Sequence, residues 1–214
     1  MVAPDHTAPS SARRGCAARH NRLQSGGACG ARRPRERKAD GMELRGLGYP
    51  AIICKDMQAS IDFYEKLGMR RLFMEPNRDD PDSVQVLLHA GGEDYLLLVG
   101  PNREGINIAD SSPGVGSMQY LTLHVTSEFI DQAYFRLSSA GLQASEEIRR
   151  GYERLVFLED PNQVLIALIA WTTEPPAGMS RAEVLAKAGE LKESQGAPFL
   201  EDDHLRRAIA LLGG

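Results

Sequence analysis

The sequence has no apolar run of the roughly 18 residues that a bilayer-spanning helix needs, so no membrane span is expected. It has only three cysteines, Cys16, Cys29 and Cys54, too few and too scattered for a disulfide framework, which points to a reducing cytoplasm. No apolar stretch of signal-peptide length follows the basic residues near the start, so export is not expected either. Basic charge is scarce outside that first segment. The 214 residues carry a formal net charge of −4, yet Met1 to Gly41 holds nine Lys and Arg against three Asp and Glu. The remainder stands at about −10, without the clustered Lys and Arg that a nucleic-acid partner requires.

Residues 1–41 are also poor in hydrophobic side chains, with Val2 and Leu23 the large aliphatic ones and no aromatic residue. Such a stretch buries too little to offset chain entropy and is expected to form a disordered basic tail. Two readings of it stay open: an Arg- and Ala-rich targeting peptide or basic arm, and an extension translated upstream of a start at Met42. Cys16, His20 and Cys29 match none of the paired spacings of zinc sites.

From Leu44 onward an ordered pattern occurs twice. Residues 49–54 read as a buried strand, Asp56 is placed to cap a helix with Ile61, Tyr64 and Leu67 on its apolar side, and Gly68 ends it. Strands follow over 70–75, 83–89 and 95–99, giving a βαβββ unit. About 71 residues later the order recurs. A strand covers 120–125, Thr126 or Ser127 caps a helix bearing Phe129, Ile130, Ala133 and Leu137, and Gly141 closes it. Strands over 144–149, 154–159 and 164–170 complete the copy, the last two joined by an Asp160-Pro161-Asn162-Gln163 turn.

The phrase Lys55-Asp56-Met57 leading into Ser60-Ile61-Asp62-Phe63-Tyr64-Glu65-Lys66-Leu67-Gly68, and the later Phe157-Leu158-Glu159-Asp160-Pro161-Asn162 turn, resemble modules of the vicinal-oxygen-chelate superfamily. That superfamily holds glyoxalases, bleomycin-resistance proteins and extradiol dioxygenases. The resemblance covers roughly residues 44–171 and implies an α+β fold in which two βαβββ modules form a curved mixed sheet around a central cavity. It implies modules at about 44–101 and 116–171 within a domain over 42–172, and a homodimer. It also implies a metal held by one residue from the first and last strand of each module, positions that fall here on Tyr49, Leu97, Tyr120 and Ala167. Leu97 and Ala167 offer no lone pair, and neutral phenols are poor ligands for the usual divalent ions. A register slip of one residue would bring Gly48 or Pro50, and Gln119 or Leu121, to the first-strand positions, no better as ligands. A metal-independent site with no cofactor is therefore expected.

Strand alternation puts Tyr49, Ala51 and Ile53 on one face and Tyr120, Thr122 and His124 on the matching face of the second module, with Cys54 left as a core thiol. Tyr49 and Tyr120 either donate hydrogen bonds to a ligand carbonyl or oxyanion, or fill with aromatic bulk the space vacated by a metal. His124 stands some ~13 Å beyond Tyr120 along the strand, near a cavity mouth, and is the general-base candidate. Ile53, Tyr95, Leu97, Val99, Thr122 and Ala167 are expected to line the cavity, and Arg154 to bind an anionic substituent.

After Trp171, residues 173–214 read as a linker and two helices. One opens at the capping box Ser180-Arg-Ala-Glu183, and the other spans residues 202–212. Their apolar stripes fit the outer face of a module, a dimer contact or a lid equally well. The expected function is that of a glyoxalase-like enzyme, a lyase or isomerase without metal, acting on a small oxygenated metabolite by proton transfer, isomerisation or elimination. The alternative is a non-catalytic protein that sequesters a small molecule, as bleomycin-resistance proteins do.

Overall fold

In the first module, strand β1 (Ala51–Ile53) is short because it only begins to pair at its partner's centre. Backbone bonds from Leu97 to Pro50 and from Cys54 to Val99 carry the pairing one residue further at each end. In the computed structural model, which describes residues 46–103, 106, 108 and 114–214, Asp56 caps α1 (Met57–Lys66) by accepting from the Ala59 amide at 3.0 Å. The tail over 1–41 and the module start at Leu44 lie outside the described residues. Gly68, at φ 95°, turns the chain out of α1, a conformation that costs any side-chain-bearing residue about 1 kcal/mol or more. Strands β2 (Arg70–Pro76), β3 (Ser83–Gly91) and β4 (Asp94–Pro101) complete a sheet ordered β1-β4-β3-β2.

The second module repeats this order with β5 (Leu121–His124), β6 (Ile148–Arg150), β7 (Glu153–Glu159) and β8 (Leu165–Trp171), arranged β5-β8-β7-β6. The two parallel pairs are equivalent in register: Ala51 sits opposite Leu97, and Thr122 opposite Ala167. The expected single helix is divided at Gln132 into α2 (Ser127–Asp131), capped by Thr126, and α3 (Ala133–Ser139). Gln132 bonds back to Phe129, three residues earlier, which tightens the turn, yet Ile130, Ala133 and Leu137 stay on one buried side. The strand expected over 144–149 is a lone bridge from Ala144 to Leu158 followed by the later and shorter β6. Ser145 explains the interruption, because its hydroxyl accepts the Phe157 amide at 2.9 Å in place of a backbone carbonyl.

Ile52, Cys54, Ile61, Tyr64, Val86 and Leu98 of the first module belong to one core with Ile130, Leu137, Val156, Leu158, Ile166 and Leu168 of the second. Each large aliphatic side chain so buried contributes about 1.5–3 kcal/mol. A polar seam runs from this region to the surface, where the half-buried Asn162 side chain donates to Ser60 Oγ and accepts from the Lys55 amide.

The carboxyl-terminal helices α4 (Arg181–Ser194) and α5 (Asp202–Gly213) pack on each other and cluster with Trp171 at the end of the last strand. Val184, Ala188, Leu205 and Ala208 close over Trp171, against which Tyr152 stands edge-on at 5.5 Å. Gly151, at φ 55° in the β6–β7 turn, lies so close to the Leu200 carbonyl that a Cβ there would collide with it. No helix among the described residues is long and apolar enough to cross a membrane.

Candidate functional site

Alternation along β1 and β4 sends Ile52, Cys54, Leu96 and Leu98 into the core. It leaves Tyr49, Ala51, Ile53, Tyr95, Leu97 and Val99 on the opposite, open face, where Tyr49 is 54% exposed and Ile53 68%. The same face carries His89 and Gln85. His89 lies 5.7 Å from the Tyr95 ring with its Nε2 3.0 Å from the Gly92 carbonyl, and Gln85 donates to Glu75 at 2.6 Å.

On the second sheet, Leu155, Ala167 and Ile169 form a small buried cluster with Tyr120 and Phe157 around it. Thr122 and His124 continue that face, opposite Ala167 and Ile169. Tyr120 stands edge-on to Phe157, ring centres 5.7 Å apart. The Arg150 guanidinium lies 5.7 Å from the Phe157 ring centre and donates to the Tyr120 hydroxyl at 3.5 Å. The hydroxyls of Tyr49 and Tyr120 share no hydrogen bond, and Tyr49 has no polar partner among the described residues.

His124 lies at the end of that face and lines a cleft of about 520 Å³ with Val125, Thr126, Ser127, Glu128, Glu174 and Arg181. Burial and the nearby Arg181 charge hold its imidazole below the ordinary range, so the neutral form dominates at pH 7. Arg181 is itself fixed, bonded to Glu174 at 2.8 Å and stacked 5.3 Å from the Trp171 ring centre.

Arg154 does not join this face. It sits opposite Ala170, on the helix-bearing side, where it binds Asp131 of α2 at 2.7 Å and Glu147 at 2.8 Å. Strand alternation, together with two carboxylates that consume its donors, makes it a structural ion pair rather than a ligand contact. Arg150, Phe157, Arg181 and Glu174 stand beside these side chains without a signal in the sequence pattern. For Arg150 the reason is that the interrupted strand ends one residue later than its pattern suggests, and for Arg181 that a helix distant in sequence is brought to His124 only by folding.

The four positions to which the resemblance assigns metal ligands, Tyr49, Leu97, Tyr120 and Ala167, hold two phenols and two aliphatic side chains. One phenol already accepts from Arg150. Among the described residues no three His, Cys, Asp or Glu side chains stand together as a metal-binding group. A divalent metal therefore does not fit this donor set.

A family model, the Glyoxalase/Bleomycin resistance protein/Dioxygenase superfamily, matches residues 46–168. Solved structures of similar fold include the glyoxalase family protein from Enterococcus faecalis, with 21% identity, a TM-score of 0.50 and coverage of 60% of this chain and 100% of that one. Another is the glyoxylase/bleomycin resistance protein/dioxygenase domain from Frankia sp. EAN1pec, with 14% identity, a TM-score of 0.52 and coverage of 60% and 99%. No curated protein matches the chain significantly. With the matched segment spanning both modules and the paired strands in equivalent register, the chain belongs to the Glyoxalase/Bleomycin resistance protein/Dioxygenase superfamily.

Proposed function

We propose that this chain binds a small, partly apolar oxygenated metabolite on the open faces of its two sheets, without a metal ion, in the cytoplasm. The supporting observation is Tyr120. Its hydroxyl occupies a position where the resemblance implies a metal ligand and is oriented by Phe157 and Arg150. Because that oxygen accepts from Arg150, its own proton is free for a ligand oxygen. Ile53, Leu97, Val99 and Tyr95 supply apolar lining. The exposure of Tyr49 and Ile53 is the reason to add a second copy of the chain as the wall that completes the cavity. Analytical ultracentrifugation tests this: a dimer is expected, and a monomer at micromolar concentration would remove that wall.

In the enzymatic form of this reading, a carbonyl oxygen of the substrate accepts from Tyr120 or Tyr49. His124, held neutral, takes a proton from carbon, and its return to another carbon or the departure of a leaving group completes an isomerisation or an elimination. The non-catalytic form is sequestration. It is favoured by the strand spacing, since about 13 Å of strand rise separates Tyr120 from His124 and a small ligand does not span it easily. Tyr49→Phe, Tyr120→Phe and His124→Ala decide between the two. If His124→Ala abolishes turnover of an identified ligand while binding persists, the chain is an enzyme. If all three bind normally and no turnover exists in the parent, the enzymatic form falls and sequestration stands. Elemental analysis that found one tightly held transition metal per chain, lost on changing Tyr49 or Tyr120, would end the metal-free reading.

A further inference from the structure

We propose that Arg150 makes the open face of the second sheet selective for a ligand that carries a carboxylate or similar oxyanion. This rests on the reading that a small molecule occupies that face and goes further by naming its charge.

Three observations carry it. Arg150 lies at the end of β6 opposite Glu153, and in the antiparallel register its side chain shares the face of Ile148, Leu155 and Phe157. Its neighbours Arg149 and Arg154 each pair with a carboxylate, whereas Arg150 has none within salt-bridge distance among the described residues, Glu153 included. The guanidinium is nonetheless placed: it stacks on Phe157 and gives one N–H to the Tyr120 hydroxyl. A solvated arginine has no need of either contact.

The chemistry follows from counting donors. A guanidinium has five N–H groups in a planar fork, and Tyr120 uses one of them. The Tyr120 O–H, polarised by the charge it accepts from, becomes a further donor beside the fork. Donors converging beside an uncompensated positive charge recognise a planar oxyanion, and a carboxylate matches a two-pronged arrangement best. Phe157 and the exposed Ile148, which lie on this face over the buried Leu155 and Ala167, receive the apolar part of the same molecule.

The test uses the full chain, benzoate as anionic probe and benzamide as its neutral counterpart, with binding followed by NMR of the arginine Nε–H and tyrosine ring signals. Benzoate is expected to shift the Arg150 and Tyr120 signals saturably, and Arg150→Gln to weaken it about tenfold or more while benzamide binding is unchanged. Arg150→Lys should recover only part of the loss, because a point charge cannot form the fork. If benzoate and benzamide bind alike, and equally to Arg150→Gln, the anion proposal is overturned and the small-molecule reading survives. If neither probe perturbs this face, both are overturned for ligands of this kind. Arg150 is exposed and outside the core, so loss of folding does not confuse the result.

Discussion

The Tyr64 hydroxyl donates to the Asp160 carboxylate at 3.0 Å, joining α1 of the first module to the β7–β8 turn of the second. The other oxygen of Asp160 accepts the Asn162 and Val164 amides, both at 2.8 Å. Burial and the adjacent carboxylate hold the Tyr64 phenol far above its usual range, so it stays a donor at every accessible pH. Tyr64→Phe is expected to cost about 1–3 kcal/mol, because it leaves a buried carboxylate one bond short. Asp160→Ala is expected to cost more, since it strands the Tyr64 hydroxyl and both amides. Urea denaturation of the two variants checks the order.

Gln163 holds φ 67°, a left-handed conformation that side chains other than glycine resist. Gln163→Gly is expected to stabilise the fold by roughly 0.5–1 kcal/mol, the relief of strain being partly offset by glycine's greater freedom when unfolded. A melting temperature equal to or below that of the parent would count against strain at this turn.

Glu147 is held down to about 2 by hydrogen bonds from Arg154 and Arg149, against an unfolded value near 4.5. A depressed folded value means its stabilisation is complete above about pH 4.5 and is lost as pH falls towards 2. Denaturation midpoints measured between those limits should fall less steeply in Glu147→Gln than in the parent.

Arg181 depresses the His124 imidazole, and Glu174 acts in the opposite sense. Arg181→Gln should therefore raise the His124 titration midpoint in an NMR pH series, and Glu174→Gln should lower it. An unmoved midpoint in both variants would leave burial as the sole cause.

The legible parts of the fold were those set by local chemistry. Asp56, Gly68, Thr126 and the Asp160 turn each bound an element within a few residues, and the two copies of the pattern fixed the facing of Tyr49, Tyr120 and His124. Less legible were features in which distant groups compete for one position. Ser145 takes over a ladder bond and moves β6, which puts Arg150 at its end on the face of Leu155 and Phe157. The seating of α4 and α5 on Trp171 depends on a surface that exists only after the second sheet has formed. Tyr120 was read from its position alone, whereas its orientation by Phe157 is a matter of packing.

Gly151 directly follows Arg150 and touches the Leu200 carbonyl just ahead of α5. The hairpin that carries the arginine is thus braced by a segment lying past residue 168, where the family match ends. Trimming the chain to its two modules would spare Tyr120, Arg150 and Phe157, yet it would unclamp that hairpin and let the guanidinium swing. The segment that leads into α5 thus acts as a splint for the hairpin, while α4 reaches the site itself through Arg181.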